Sequence, residues 1–200
     1  MSKPLFRAYA DDLSTVVGKI DWTVLEPIAH ALVLAWKNDS SIFICGNGGS
    51  GGNANHLATD FVWGVAPNSG KGMRAQALTA NSSVLTCLAN DISYEESFAE
   101  QVRILGRPRD VLIVMSGSGN SPNILRAIQA AQEKQITTIG FLGFDGGKAL
   151  EMVDLKLHFP INDMQISEDL QQVAGHMLTR WLNENYEAAL SEVSLDSINA

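Results

Sequence analysis

A chain of 200 residues, 46% hydrophobic and 18% charged, suits one compact domain with a filled core and carries too few charges for a disordered protein. Its net charge of −8 argues against a large DNA or RNA footprint, and Arg103, Arg107 and Arg109 read as a solvated surface rather than a nucleic-acid patch. No stretch approaches the ~18 apolar residues of a membrane span, the N-terminus has acids where a signal peptide needs an apolar core, and Cys45 and Cys87 lie in apolar runs as expected of buried thiols in a reducing compartment, so the chain reads as cytoplasmic.

Two helices come first. Leu5, Tyr9, Leu13, Val16 and Val17 recur at helical spacing between about Pro4 and Ile20. Asp21 then caps a second helix that carries Leu25, Ile28, Ala29, Leu32, Val33 and Trp36 on one stripe. An apolar strand follows over 41–45, then a glycine-rich loop and a helix to about Gly64, a polar loop, and a second strand over 74–79. Helical stretches from about Ser82 and Tyr94 lead to a third strand over 110–115. A helix from near Ser121, a fourth strand over 136–142, a short helix after Asp145-Gly146-Gly147 and a fifth strand over 155–159 come next. A long helix from about Ile166 to Leu190 closes the domain, and 191–200 reads as a frayed tail. Continuous apolar strands alternating with helices predict an α/β fold, a five-stranded parallel sheet covered on both faces in the flavodoxin-like manner. The whole chain is one domain: a leading helical segment over 1–40 and an α/β core over 41–190.

Two loops want an anion. The first, Gly46-Asn47-Gly48-Gly49-Ser50-Gly51-Gly52, joins a strand to a helix, where free N–H groups and the positive dipole end face a ligand. Gly46, Gly48 and Gly51 satisfy G-x-G-x-x-G, but a dinucleotide site also wants an acid ~20 positions on, after the second strand. That strand ends Leu78-Thr79-Ala80-Asn81, with no acid, so no nucleotide cofactor is expected. The second loop, Ser116-Gly117-Ser118-Gly119-Asn120-Ser121, offers three hydroxyls and backbone amides suited to a phosphate monoester. Ser121 can also be a helix N-cap, with Pro122 at the first helical position.

With these loops in view the chain resembles a sugar isomerase (SIS) domain and, more narrowly, the phosphoheptose isomerase family. The matching segments are CGNGGSGGNANHLATD, CLANDISYEESFAEQV, RDVLIVMSGSGNSPNILRAI, GFDGGKALEMVD and ISEDLQQVAGHML, between Phe43 and Leu178. The resemblance implies that Ser116, Ser118 and Ser121, with Gly117 in the same loop, hold the phosphate. Asn47, Gly48 and Gly49, followed by Ser50, would line the sugar site, and Asn90 and Asp91 would touch the sugar. It also implies zinc at a cluster of His56, Asp60, Glu168 and His176, and a homotetramer with sites shared between subunits. Asp60 replaces the family's glutamate, Gly117 stands where a threonine is usual, Gln171 stands where a histidine is often found, and an arginine common after the acid is absent from Phe61-Val62-Trp63-Gly64.

The activity so implied is an aldose–ketose isomerisation through an enediol, with sedoheptulose 7-phosphate as the family substrate. It needs a base near both carbons and an acid or metal for the oxygens. Asp60 and His176 can supply base and acid in either order. His56 and Asp60, at i and i+4, share a helix face, which suits joint metal ligation or a hydrogen-bonded pair. Glu168 and His176 lie ~12 Å apart along a helix axis and point ~80° apart, so spacing permits a shared metal without compelling it. His30 and His158 lack acidic neighbours at useful spacing and read as structural. A second reading keeps the fold without the chemistry: a phosphosugar- or partner-binding protein of the replication-initiator-associating type. A third, a phosphosugar-responsive regulator, lacks an attached DNA-binding segment.

Overall fold

The computed structural model describes residues 4–67 and 69–191. Two helices lead, α1 (Leu5–Val17) and α2 (Leu25–Lys37). The core then runs β1 (Ser41–Gly46), α3 (Gly48–Thr59), β2 (Arg74–Ala77), α4 (Ser82–Asp91), α5 (Ala99–Leu105), β3 (Val111–Ser116), α6 (Pro122–Glu133), β4 (Thr137–Leu142), α7 (Ala149–Met152), β5 (Leu155–His158) and α8 (Met164–Ser191). All five strands are parallel, in the order β2-β1-β3-β4-β5. That is the expected flavodoxin-like sheet, and its order reverses between β1 and β3. Gly46 pairs with Met115, so the loops that follow β1 and β3 leave the sheet side by side.

Alternation along the strands sorts the core into two layers. Ile42 and Ile44 point to one side, with Ile28 and Leu32 of α2, Leu57 of α3 and Leu170 of α8. Phe43 and Cys45 point to the other, with Phe98, Val102 of α5, and Ile124 and Ile128 of α6. Each such fully buried side chain contributes about 1.5–3 kcal/mol relative to exposure. Helix α1 packs Tyr9, Leu13, Val16 and Val17 against the first layer but buries no residue completely, and its Leu5 and Phe6 are 80% and 88% exposed.

Several local expectations shift. Asp21 caps a 3-10 turn, Trp22–Val24, ahead of α2, accepting from the Thr23 amide at 3.0 Å. Helix α3 begins at Gly48, within the glycine loop, and continues as a π-helical turn, Asp60–Gly64. The stretch at Tyr94 is a 3-10 turn, Tyr94–Glu96, because Ser93 caps it and α5 starts separately at Ala99. Cys45 is buried as expected, but Cys87 is exposed. Its helix α4 buries no residue completely, and the thiol turns to the Asp91 carboxylate at 3.3 Å, which pushes its pKa up. Arg103 is tied to Glu96 and Glu100. Helix α6 ends through Gln135, a non-glycine residue at φ 59°, after which the Ile136 amide returns to the Ala131 carbonyl at 2.9 Å. Of the expected frayed tail, only Ser191 is described, as the last residue of α8; 192–200 lie outside the described residues.

Candidate active site

The two loops form the walls of one cleft of about 240 Å³ at the carboxyl ends of β1 and β3. Asn47, Gly48, Gly49 and Ser50 line it from the first loop; Ser116, Gly117, Ser118 and Ser121 line it from the second. Met115 completes the floor, and Met164 and Glu168 approach from α8. A larger hollow of about 570 Å³ lies between the end of α1 and β5, lined in part by Lys19, Lys156 and His158. It has neither loop, and the smaller cleft occupies the switch point where ligands of such sheets bind.

Local bonds explain why the second loop is open to an anion. Ser116 Oγ accepts from the Gly119 amide at 3.0 Å, and Ser118 Oγ from the Asn120 amide at 3.3 Å. Each hydroxyl keeps its proton to donate. Ser121 does take the N-cap position with Pro122 behind it, yet its side chain makes no cap bond. Among the described residues no lysine or arginine lines the cleft, so hydroxyls and amides are the groups they offer an anion. Among the described residues Glu168 is the one ionisable group on its wall, over Gly49: a Cβ at position 49 would overlap its carboxylate. Gly117 leaves room in the same way for the Met164 thioether, which fills the space of a side chain there.

The acid–base candidates gather on α3 and α8, outside the lining of the cleft. His56 Nε2 lies 3.0 Å from His176 Nε2 with the rings edge-on. Asp60 Oδ2 lies 3.5 Å from His56 Nε2 and 3.7 Å from His176 Nε2. Asp60 stands at the junction of α3 and the π turn, and from there the shorter carboxylate reaches both imidazoles. All three ligand atoms fall within 4.8 Å of one another. Glu168, expected as a fourth member, is not in this group. Two turns of α8 separate it from His176, and Gln172 stands between, with Nε2 3.1 Å from His176 Nε2. Asn90 and Asp91 do not line the cleft. They sit at the exposed end of α4, where the Asn90 amide and then the Cys87 thiol donate to Asp91 and hold its carboxyl below the usual range. His158 bonds to the Phe144 carbonyl at 2.9 Å and His30 packs edge-on to Trp181, both away from the site.

Three contributors escaped sequence reasoning. Gln172 carried a usable signal, its position four residues before His176. Asn123 and Tyr94 meet Asn47 across 76 and 47 residues, a contact only the fold reveals.

A family model described as "SIS domain" matches residues 6–143. The chain belongs to the SIS-domain family. Among relatives of this SIS-domain protein, the phosphoheptose isomerase of Clostridium acetobutylicum is 40% identical over 77% of this chain and 78% of its own. The phosphoheptose isomerase of Helicobacter pylori strain P12 is 37% identical over 82% and 84%. The solved structure of the phosphoheptose isomerase GmhA from Neisseria gonorrhoeae superposes with a TM-score of 0.82 at 31% identity, covering 90% of this chain and 97% of that one. The expected fold and the resemblance to this family are thereby borne out.

Proposed function

We propose that this SIS-domain enzyme interconverts sedoheptulose 7-phosphate and a glycero-manno-heptose 7-phosphate. The enzyme class, an intramolecular aldose–ketose isomerase acting on a phosphosugar, follows from its kinship with phosphoheptose isomerases. The observation that carries the substrate reading is the cleft itself: two strand-end loops, the second with three serines, arranged around space for a phosphate. Ser116, Ser118 and Ser121 hold that phosphate, and the Asn47–Ser50 loop with Glu168 meets the sugar hydroxyls. Asn90 and Asp91 join the sugar site as the arm that carries them docks onto it.

The chemistry moves two protons, one from C1 to C2 and one from O1 to O2. A base takes a proton from C1 of the ketose while the C2 oxygen gains one, giving the enediol. Return of a proton to C2, with loss of the O1 proton, gives the aldose. Asp60 and His176 share these tasks, with Asp60 Oδ2 3.7 Å from His176 Nε2. Asp60 and His176, together with His56, would hold zinc: two imidazole nitrogens and one carboxylate oxygen are a zinc donor set, and three protein ligands leave a position open. When bound, such an ion supplies Lewis-acid polarisation of the substrate oxygens. Glu168, standing over Gly49, binds substrate rather than metal.

The reading extends to a homotetramer in the cytoplasm. Exposed Leu5 and Phe6 on α1, and the half-exposed rings of His56 and His176, are surfaces a second copy would cover. The segment 1–40 is then the packing unit and 41–190 the catalytic core. Among the described residues no helix is long and apolar enough to cross a membrane. The test is incubation of the purified protein with sedoheptulose 7-phosphate, with and without added zinc, followed by NMR of the aldose product. Product lost in Asp60→Asn or His176→Ala supports the proposal. Saturable binding without turnover overturns it in favour of a binding protein that kept the cleft.

A further inference from the structure

Asn47 has the backbone of an N-cap, φ −106° and ψ 150°, yet its side chain makes no bond to its own helix. An N-cap asparagine ordinarily accepts from the second or third amide of the helix, a contact worth about 1 kcal/mol. Here that side chain is held elsewhere. Its Oδ1 accepts from Asn123 Nδ2 at 2.9 Å and from the Tyr94 hydroxyl at 2.8 Å, and its Nδ2 donates to Asn123 Oδ1 at 2.9 Å. Both Oδ1 lone pairs are occupied. Asn123 is 1% exposed, so it has no water to turn to if the pair breaks. Tyr94 is half-exposed, on a turn fastened to α6 by Arg126, which meets Glu95 at 3.0 Å and also pairs with Glu96.

We infer that Asn123 and Tyr94 are positioning residues: they hold the Asn47 amide off its own helix, so that the Gly49 and Ser50 N–H groups stay open to a ligand oxygen. The helix forgoes its ordinary cap, and the first turn of α3 faces the cleft with donors that would otherwise be closed internally. The same contacts join the first loop to the start of α6 and dock the turn that follows Asn90 and Asp91. The inference rests on the phosphosugar reading of the cleft for its kinetic consequence, though not for its structural one.

Asn123→Ala releases Asn47 to cap α3, and Tyr94→Phe frees one of its Oδ1 lone pairs for the same bond. The expected result is a KM for sedoheptulose 7-phosphate raised about tenfold in the first and about threefold in the second. The kcat stays within about twofold, and the melting midpoint of Tyr94→Phe is not lowered, because a helix cap replaces the lost bond. A merely structural role predicts the reverse: a lower midpoint and an unmoved KM. Should Asn123→Ala fail to fold, Tyr94→Phe carries the same test. Amide hydrogen exchange in the ligand-free protein gives a substrate-independent reading. Slower exchange at Gly49 and Ser50 in Tyr94→Phe upholds the inference, and unchanged exchange overturns it. If the parent protein fails to turn over the sugar, the proposed function falls while the exchange result still decides this point.

Discussion

The anion cleft and the imidazole–carboxylate cluster both draw on α8, but they are built in opposite ways. The cleft is fixed by the main chain. Ser116 is 5% exposed with its hydroxyl bonded to a loop amide, and Asn123 beneath the first loop is 1% exposed. The cluster is fixed by its own members. His56 and His176 have side chains 51% and 56% exposed and lean on each other and on Asp60. Binding of a constant group, the phosphate, can be pre-set in rigid loops. Proton transfer between two carbons needs side chains that can adjust, and these are placed on helix faces where a ligand or a second copy completes their surroundings.

Substitutions should separate the two regions. The largest effect is expected in the cluster: Asp60→Asn or His176→Ala should lower kcat about 10²- to 10⁴-fold while inorganic phosphate still binds, checked by turnover and by titration calorimetry. A parallel loss of phosphate binding would erase the division. In the cleft, Ser121→Ala should raise KM about tenfold with kcat nearly unchanged, as loss of one donor to a charged oxygen requires. Gly117→Thr should act more mildly, by a few-fold in KM, because the new side chain displaces the flexible Met164 thioether rather than backbone. A crystal structure with Met164 unmoved would contradict that account.

The smallest effect tests the frame around both. The Tyr9 hydroxyl donates to Asp169 at 2.6 Å, tying α1 to α8, and this bond, with burial adding to it, pushes the phenol up to about 12. A raised folded pKa gives stability that is complete below the ordinary value near ~10 and is lost as pH climbs toward the folded one. Unfolding midpoints should therefore fall between pH 10 and 12 in the parent more than in Tyr9→Phe, and the tyrosinate absorbance should titrate late.

The fold was legible because its signals are local. Ile42 to Cys45, Leu112 to Val114 and Ile139 to Leu142 are unbroken apolar runs, and the glycine and serine loops punctuate them. The cleft was legible for the same reason: its walls are two contiguous segments. The cluster was only half legible. His56 and Asp60 are one turn apart on one helix, and spacing predicted their closeness. Glu168 and His176 are two turns apart, and which of Glu168 and Gln172 would face His56 depends on how α8 rolls against α3, which no single-helix pattern encodes. Cys87 was misplaced because an apolar neighbourhood in sequence, Leu85 to Leu88, sits on a helix that buries none of its residues completely.

Gln135 carries a different kind of consequence. A side chain at φ 59° strains the chain by roughly 1 kcal/mol where glycine would not. The position is exposed and precedes β4, at the amino ends of the strands, opposite the cleft. Gln135→Gly keeps the Ile136-to-Ala131 bond that ends α6 and relieves that strain. Thermal tolerance can thus be raised from the far side of the sheet, leaving substrate preference as a separate dial.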